Sequence, residues 1–257
     1  MSVIVTLSGG KASAWCADMA LKTFPKKEVI LYFNDTKWEH PDLYRFLHDL
    51  ESHFNHEITI DSDGRSPEQL FKDENCLASN RWAFCSRILK AKRLQSFYKD
   101  GDVLIFGIGL TETHRADRIC SVYQKVYAKT KKRMTIRFPI IETKTTTIDI
   151  DSWLCETGIE EPLMYKLGFK HNNCSGGCVR SGKKQWALLL EKIPEVYRER
   201  ERVEEEMRQR TGKDIHYLKD ETLRQLRERI QSQFNLEFEK EEHTQAMECI
   251  GICDTHQ

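Results

Sequence analysis

The chain begins with the stretch VIVTLSGGKAS, residues 3–13, in which a short β-branched run meets a glycine pair. Val3 to Leu7 has the composition of a buried strand, and Lys11 to Thr23 has the apolar spacing of a helix. Ser8-Gly9-Gly10 lies between them. Backbone N–H groups at a helix N-terminus bind phosphate when glycines let the anion approach, but the same residues also make an ordinary tight turn. The loop alone leaves both interpretations open.

The composition limits the classes of protein to consider. The chain has 257 residues, and its 40 basic side chains balance 40 acidic ones. The overall charge therefore predicts neither a nucleic-acid nor a membrane partner, and only local patches could recruit one. No apolar stretch reaches the length of a membrane span, and the N-terminus does not resemble a signal peptide. We expect a cytoplasmic protein whose nine cysteines are buried residues, metal ligands or catalytic thiols rather than disulfides.

Strands and helices alternate through the first half of the chain. After the first strand, the pattern predicts three more strands, Val29 to Phe33, Glu57 to Ile60 and Val103 to Phe106. Helices are expected between them, from Pro41 to Phe54, Ser66 to Phe71 and Ser86 to Tyr98. Such alternation predicts an α/β fold, a parallel twisted sheet with helices on both faces. Ligands bind at the carboxyl ends of the strands in these sheets.

The pattern changes after Thr143. Asp149 or Asp151 is expected to cap a short helix that ends at Cys155, and an irregular glycine-rich loop follows from Gly168 to Gly182. A long charged helix is predicted from Lys184 to Arg210, kinked or split at Pro194. Another amphipathic helix should follow from Glu221 to Phe234. We therefore predict a nucleotide-binding domain at 1–145 and a mostly helical, cysteine-bearing region at 146–257.

The segment Ser8-Gly9-Gly10-Lys11-Ala12-Ser13 resembles the pyrophosphatase-type loop (PP-loop) of the adenine nucleotide alpha-hydrolase superfamily. Many members carry an acid where this chain has Ala12. The resemblance implies a Rossmann-like fold in which this loop binds the phosphates of ATP, or of an adenylyl sulfate, with Mg²⁺. We expect Lys11, together with Arg115, to neutralise charge during attack at the α-phosphate.

Two further strand ends support this resemblance. Asn34, Asp35 and Thr36 follow the second strand at the position that contacts the adenosine in the superfamily, although such residues also make helix-capping turns. Gly107, Glu112 and Arg115 fit a glycine–glutamate–arginine segment of sulfonucleotide reductases. Arg115 would bind phosphate or sulfate there, or it would be a surface arginine paired with Glu112.

The cysteines extend the resemblance to the phosphoadenylyl-sulfate (PAPS) reductase-like family. Cys174 and Cys178 follow a P-L-M-Y-K-L-G-F segment, as a cysteine pair that binds an iron–sulfur cluster does in those reductases, but here the pair is one residue longer. The segment Phe84 to Lys90 is similar to their second cysteine segment, with Cys85 present and Phe84 replacing its neighbour. Arg87 in that segment is a candidate contact to the nucleotide.

The tail contains Cys249 and Cys253. It resembles both the mobile E-C-G segment of the reductases, which implies Cys249 as a nucleophile, and a bacterial and phage branch of the family that ends in two close cysteines. Cys253 is then a fourth ligand candidate beside Cys85, Cys174 and Cys178. Four thiolates suit a [4Fe–4S] cluster or a tetrahedral zinc, and three suit a cluster with one open iron. We expect the cluster, with zinc as the alternative.

The stretch between Asp117 and Glu142 contains no acid. Its basic residues from Lys125 to Arg137 are interleaved with Tyr123 and Tyr127, a composition that attracts a phosphate backbone. It could bind nucleic acid, form a solvated strand–turn–strand, or clamp a small nucleotide. The overall neutral charge slightly favours the latter two.

Three functions follow from these observations. The first is ATP-dependent adenylation of an acceptor for sulfur transfer to a nucleic acid or small molecule, with a sulfur donor protein as a candidate partner. The second is thiol-dependent reduction of an adenylyl sulfate, which needs a reactive Cys249. The third is a non-catalytic nucleotide- or metal-binding component in regulation or defence, which Ala12 and Phe84 favour.

Overall fold

The computed structural model describes residues 1–233, and its centre is a five-stranded sheet in the order β3-β2-β1-β4-β5. All neighbouring strands are parallel. The strands are β1 (Val3–Leu7), β2 (Val29–Asp35), β3 (Ile58–Ser62), β4 (Asp102–Phe106) and β5 (Met134–Arg137). The chain winds outward from β1 to β3 and returns to the other side of β1 at β4. Ligand crevices of parallel sheets form at this kind of switch point.

The helices connect these strands and then continue beyond the sheet. They are α1 (Lys11–Thr23), α2 (Pro41–Phe54), α3 (Pro67–Asp73), α4 (Phe84–Ser86), α5 (Lys92–Phe97), α6 (Thr113–Thr130), α7 (Pro139–Thr143), α8 (Thr147–Thr157), α9 (Leu163–Lys166), α10 (Lys183–Lys192) and α11 (Pro194–Thr211). Residues 223–233 are also helical. A π-helical turn, Arg87–Ala91, joins α4 to α5.

Side chains alternate along a strand, so each strand contributes to two cores, one on each face of the sheet. Different helices cover the two faces. Val3, Val5 and Leu7 of β1 pack into a core with α1 and α2, whereas Ile4 packs on the other side with α5 and α6. Each fully buried aliphatic side chain of this kind contributes about 1.5–3 kcal/mol of transfer free energy. The predicted α/β fold with helices on both faces is confirmed.

A second core lies in the C-terminal helical region. Trp186 of α10, Tyr197 of α11 and Tyr217 are fully buried there, and the rings of Trp186 and Tyr217 stack with centroids 5.6 Å apart. Pro194 begins α11, so the predicted long helix is split at the expected residue. Proline fits there because the first turn of a helix needs no N–H donor.

Three details differ from the sequence-based expectations. The basic segment starts inside one helix, α6, so the strand–turn–strand alternative for it was wrong, and the edge strand β5 that follows was not predicted. The short helix α8 is capped by Thr146, not by Asp149 or Asp151. The Thr146 hydroxyl accepts the Asp149 N–H while the Asp149 carboxylate accepts the Thr146 N–H, so the two residues form a capping box with Asp149 at the third helical position.

The domain boundary at residue 145 stays a prediction. Helix α8 follows that boundary in the chain but packs on the helices before it. Ile150 and Leu154 of α8 pack into the core around α1. None of the helices within residues 1–233 combines the length and apolar composition that a membrane-spanning helix needs.

Candidate functional site

The loop Ser8–Ser13, here called the nucleotide loop, joins β1 to α1 at the carboxyl edge of the sheet. Gly9 has φ +78°, a conformation that favours glycine, and a Cβ added to it would lie 2.5 Å from Leu43 Cδ1. A Cβ on Gly10 would lie 2.6 Å from the Tyr165 hydroxyl. The chain's own packing therefore leaves no room for a side chain at either glycine, whether or not a phosphate binds there.

Ser13 closes the nucleotide loop. Its hydroxyl oxygen accepts the Ser8 N–H at 3.1 Å and donates to the Gly10 carbonyl at 2.9 Å. Gly107, after β4, rests on the same turn, because an added Cβ would lie 2.8 Å from both the nitrogen and the Cα of Ser13. The structure thus brings together two strand ends that the sequence analysis selected separately.

Lys11 is the charged group of the nucleotide loop. Its ammonium lies 2.6 Å from both the Asp151 and the Glu161 carboxylates, and 4.7 Å from the centre of the Tyr165 ring. Desolvation opposes the charge of Lys11, but hydrogen bonds to the two carboxylates raise its pKa above the usual value. Any contact between Lys11 and a phosphate must compete with these two acids.

Asn34, Asp35 and Thr36 end strand β2 and point in different directions. Asn34 donates to the Tyr32 hydroxyl at 3.0 Å on one face of the sheet. Asp35, buried on the other face, accepts the Lys37 N–H and the Tyr44 hydroxyl at 2.8 Å each. Burial opposes ionisation of Asp35, yet these hydrogen bonds lower its pKa. Because side chains alternate along a strand, Asp35 lies on the face that Phe33 shares with α1, whereas Asn34 lies on the face of Tyr32.

Glu112, Arg115 and Arg87 lie at the surface near this edge. The Arg115 guanidinium is 2.6 Å from the Glu112 carboxylate, and the Arg115 side chain is 47% exposed. This is the surface pairing that was one of the two expected roles of Arg115. Arg87 is exposed on the π-helical turn. Among residues 1–233, neither arginine has a hydrogen bond to the nucleotide loop.

The glycine-rich segment 168–182, here called the cysteine loop, is fastened to the nucleotide-loop edge by three hydrogen bonds. The buried Asn172 side chain donates to the Gly9 carbonyl at 2.7 Å. The Glu39 carboxylate accepts the Cys174 N–H at 2.5 Å, and the Ser175 hydroxyl donates to the Trp38 carbonyl at 3.0 Å. The cysteine loop is therefore held against both the nucleotide loop and the end of β2.

Glu39 is the polar centre of this contact. Its side chain is fully buried, and it accepts the Thr36 hydroxyl at 2.8 Å in addition to the Cys174 N–H. The Lys90 ammonium lies 3.6 Å from Oε1 of Glu39, the oxygen that accepts the Thr36 hydroxyl. Desolvation opposes the charge of Lys90, but Glu39, Cys174 and Cys178 around it raise its pKa. A buried carboxylate with these partners is satisfied rather than strained.

Cys174, Cys178 and Cys85 are neighbours beside Lys90. The interaction of the neighbouring Cys174 and Cys178 thiols lowers the pKa of Cys178, while the same interaction and burial raise the pKa of Cys174. Burial, with the charge of the nearby Cys178 thiolate, raises the pKa of Cys85 to about 11. Two of the four predicted ligands, Cys174 and Cys178, are thus close neighbours.

The donor set can be compared with the expected cluster and with zinc. Three thiols beside a lysine have the chemistry that iron–sulfur sites use. Within residues 1–233, however, no three His, Cys, Asp or Glu side chains converge closely enough to hold a single metal ion. Cys253, the predicted fourth ligand, and Cys249, the predicted nucleophile, lie outside the described residues. The described thiols therefore supply three candidate ligands of a cluster and no assembled mononuclear site.

Buried polar atoms without partners collect behind the cysteine loop. Within the described part of the chain, the Nε of Arg200, the Nε1 of Trp186 and the hydroxyl of Tyr217 are buried and lack a hydrogen-bond partner. The Arg200 guanidinium lies 3.6 Å from the centre of the Trp38 ring, and its side chain would be 3.2 Å from a Cβ on Gly177. Native structures hold few such groups, and they mark places where polar partners are needed.

Sequence reasoning missed several residues of this site. Glu39 and Asn172 carry the contact between the two loops, and Tyr165 packs on Gly10. Asn172 could have been suspected because it stands two residues before Cys174 in a polar, glycine-rich stretch. Glu39 offered no such signal, because a glutamate next to a helix start is normally exposed.

Comparisons relate the chain to one protein family and to one solved structure. The model of the phosphoadenosine phosphosulfate reductase domain family matches residues 2–181. A crystal structure of phosphoadenylyl-sulfate (PAPS) reductase from Candida auris, a phosphate complex, is similar at 16% identity and a TM-score of 0.47. The similarity covers 67% of this chain and 81% of that one. No curated protein sequence matches the chain.

Proposed function

Because the chain belongs to the phosphoadenosine phosphosulfate reductase domain family, we propose that it is an ATP-binding enzyme that adenylates an acceptor and then transfers sulfur to it. The observation that carries the proposal is the hydrogen bond from Asn172 to the Gly9 carbonyl, with the Glu39–Cys174 bond beside it. These bonds hold the loop of Cys174 and Cys178 beside the loop where the family binds an adenine nucleotide, and Cys85 lies near Cys178. Activation and sulfur delivery can then occur at one site.

The proposed reaction has two displacements. An oxygen of the acceptor attacks the α-phosphorus of ATP, the bond to the bridging oxygen breaks, and pyrophosphate leaves. A sulfur nucleophile then attacks the activated carbon of the acceptor, and AMP leaves with the bonding electrons. The backbone N–H groups of the nucleotide loop and Lys11 would bind the phosphates, and Mg²⁺ entering with ATP would supply further positive charge.

The cysteine site supplies the sulfur side of this proposal. Cys85, Cys174 and Cys178 would hold a cluster, with Cys253 as a candidate fourth ligand, and the cluster would supply a site for anionic sulfur. A zinc ion in place of the cluster is the alternative. Lys90 stabilises anionic sulfur at this position because it faces both thiols of the pair. The cysteine pair at the end of the chain supports placement in the bacterial and phage branch of the family.

The second candidate function is thiol-dependent reduction of an adenylyl sulfate, which the family description favours. There the Cys249 thiolate would attack the sulfur of the nucleotide-linked sulfate, and the adenosine phosphate would leave. A second thiol would then release sulfite and form a disulfide. This reaction consumes a thiol donor and no ATP. The Ala12 and Phe84 substitutions support the third candidate, a nucleotide-binding component without catalysis.

One experiment separates these functions. The full chain is purified without oxygen, its iron and zinc are measured, and ATP is tested for conversion to AMP and pyrophosphate. In parallel, an adenylyl sulfate is offered with a thiol donor and no ATP. Adenylation predicts pyrophosphate release in the first reaction, and the reductase predicts sulfite in the second. ATP binding without either product would favour the non-catalytic component.

The role of Lys11 has a matched control on the same helix. Lys11→Ala should weaken ATP binding about tenfold or more because it removes the cation at the loop. Lys22→Ala removes an ion-paired lysine from the other end of α1 and should leave ATP binding unchanged. Equal affinities of the two variants, measured by calorimetry, would contradict the assignment of the loop.

A further inference from the structure

Helix α6 presents one basic, solvent-exposed face. His114, Arg118, Lys125 and Lys129 are spaced four, seven and four residues apart, so they lie on one side of the helix. Arg115 and Val122 border this row, and all six side chains are exposed. We call this surface the α6 face. The core side of α6 is different, with Ala116 and Tyr123 buried.

The α6 face lacks compensating acids. Among residues 1–233, no carboxylate lies within 4 Å of the charged groups of Arg118, Lys125 or Lys129, whereas the exposed Arg115, Arg133 and Arg137 are ion-paired. Arg133 contacts Asp100 at 2.7 Å, and Arg137 contacts Glu142 at 2.5 Å. Asp117 is exposed on the flank of α6 and does not belong to the row. The three unpaired cations therefore project their charge into solvent.

The α6 face leads to the candidate site. Helix α6 begins after β4, whose following residue Gly107 rests on Ser13 of the nucleotide loop. Its start is also near the cysteine loop, because the charges of Glu112 and Arg115 act on the pKa of His171, which partial desolvation lowers. The helix is 18 residues long, about 27 Å. One basic track thus runs from the site along the length of several nucleotides.

From this arrangement we propose that the α6 face binds an unpaired segment of RNA, and that this RNA is the acceptor of the proposed sulfur transfer. The role of the RNA as acceptor rests on the proposed function, whereas its binding to the α6 face does not. Phosphates of the RNA backbone contact Arg118, Lys125 and Lys129, while one base reaches the carboxyl edge of the sheet near Arg115 and the cysteine loop.

An unpaired strand fits better than a duplex for two reasons. A base atom that reacts must leave its stack and enter the enzyme, which costs least when the base is already unpaired. A single row of cations along one helix also follows one backbone, whereas a duplex presents two. RNA is favoured over DNA because unpaired loops are stable features of folded RNA, and proteins recognise RNA mainly there.

The test measures binding of a short fluorescent, unstructured RNA to the full chain by anisotropy. The probes for comparison are single-stranded DNA of the same sequence and the RNA duplexed with its complement. The triple variant R118Q/K125Q/K129Q removes the row, and K184Q/K213Q/K219Q removes three exposed lysines from the helical region as a matched control. Glutamine keeps helix propensity close to that of the residues it replaces.

We expect the α6 triple variant to weaken RNA binding about tenfold to a hundredfold and to reduce the salt dependence, the slope of log K against log salt, by about 2. The control variant should change neither. Equal losses in both variants, or tighter binding of the duplex or of the DNA, would overturn the inference.

This result can be separated from the proposed function. The α6 triple variant should bind ATP like the unmodified chain, because none of its residues contacts the nucleotide loop. RNA binding that depends on the α6 face in a protein that never cleaves ATP would refute the adenylation alone. ATP cleavage in a protein that does not bind the RNA would refute this inference alone.

Discussion

The nucleotide loop and the cysteine loop meet at one edge of the sheet but are stabilised differently. In the nucleotide loop, the left-handed position is occupied by Gly9, and Ser13 closes the turn from five residues away. In the cysteine loop, Cys174 and Ser175 have φ values of +52° and +51°, a region where residues with a Cβ are strained. Their partners, Glu39 and Trp38, are more than 130 residues distant in sequence.

This difference shows where each loop is vulnerable. The nucleotide loop depends on the absence of side chains, so an added methyl group should disturb it. The cysteine loop depends on a buried carboxylate and on the tertiary fold around it. Its strain persists because the contacts with Glu39 and Trp38 over-determine the backbone.

Glu39→Ala should have the largest effect of the changes considered. It leaves the Cys174 N–H, the Thr36 hydroxyl and Lys90 without their shared acceptor, so we expect a loss of about 3–4 kcal/mol in the free energy of unfolding. Urea denaturation measures the loss. Glu39→Gln retains one acceptor and should lose less than half as much. A loss under about 1 kcal/mol in the alanine variant would show that the cysteine loop does not depend on this carboxylate.

Glu204 extends the comparison to the helices behind the cysteine loop. It is buried on α11 and accepts the N–H groups of Tyr217 and Leu223, and burial raises its pKa to about 7. An unfolded glutamate has a pKa of about 4.3. Its stabilising contribution is thus fully present below that pH and is lost as the pH rises through about 7. Asp35, near the nucleotide loop, has a lowered pKa and the opposite dependence.

Glu204→Gln tests this sign, because glutamine stays neutral. Relative to the unmodified chain, the stability of the variant should rise by about 2–3 kcal/mol between pH 5 and pH 7.5. Urea denaturation at the two pH values measures the change. A difference that is independent of pH would mean that Glu204 is ionised throughout this range in the folded protein.

Gly107→Ala tests the nucleotide side of the comparison. The new methyl group would lie 2.8 Å from backbone atoms of Ser13, so α1 or the end of β4 must shift. We expect a loss of about 1–3 kcal/mol in the free energy of unfolding, together with weaker ATP binding. Gly109→Ala is the matched control, because nothing lies within 4 Å of its Cβ position and its φ is not positive. Equal stability of the two variants would contradict the contact between Gly107 and Ser13.

The same difference explains how much could be predicted from the sequence. Strand β1, the Gly9 turn and the split at Pro194 follow from local rules of periodicity and backbone conformation, and the structure confirms them. Edge strand β5 was missed because its burial alternates only weakly over four residues. The contact of Glu39 with Cys174 was missed because it depends on tertiary packing, which no local pattern records. The resemblance located the cysteines, but not the carboxylate that holds their loop.

The smallest expected effect concerns the competition for Lys11. Its ammonium is shared between Asp151 and Glu161, and the Glu161 side chain is 36% exposed, so this pair contributes at most about 1 kcal/mol. Glu161→Gln should release Lys11 toward a phosphate and tighten ATP binding by about two- to fivefold. Glu160→Gln is the matched control, because Glu160 pairs with Lys166 at the surface instead. If Glu161→Gln weakened ATP binding, the carboxylate would be orienting Lys11 rather than competing for it, and the nucleotide loop would then also depend on a distant acid, as the cysteine loop does.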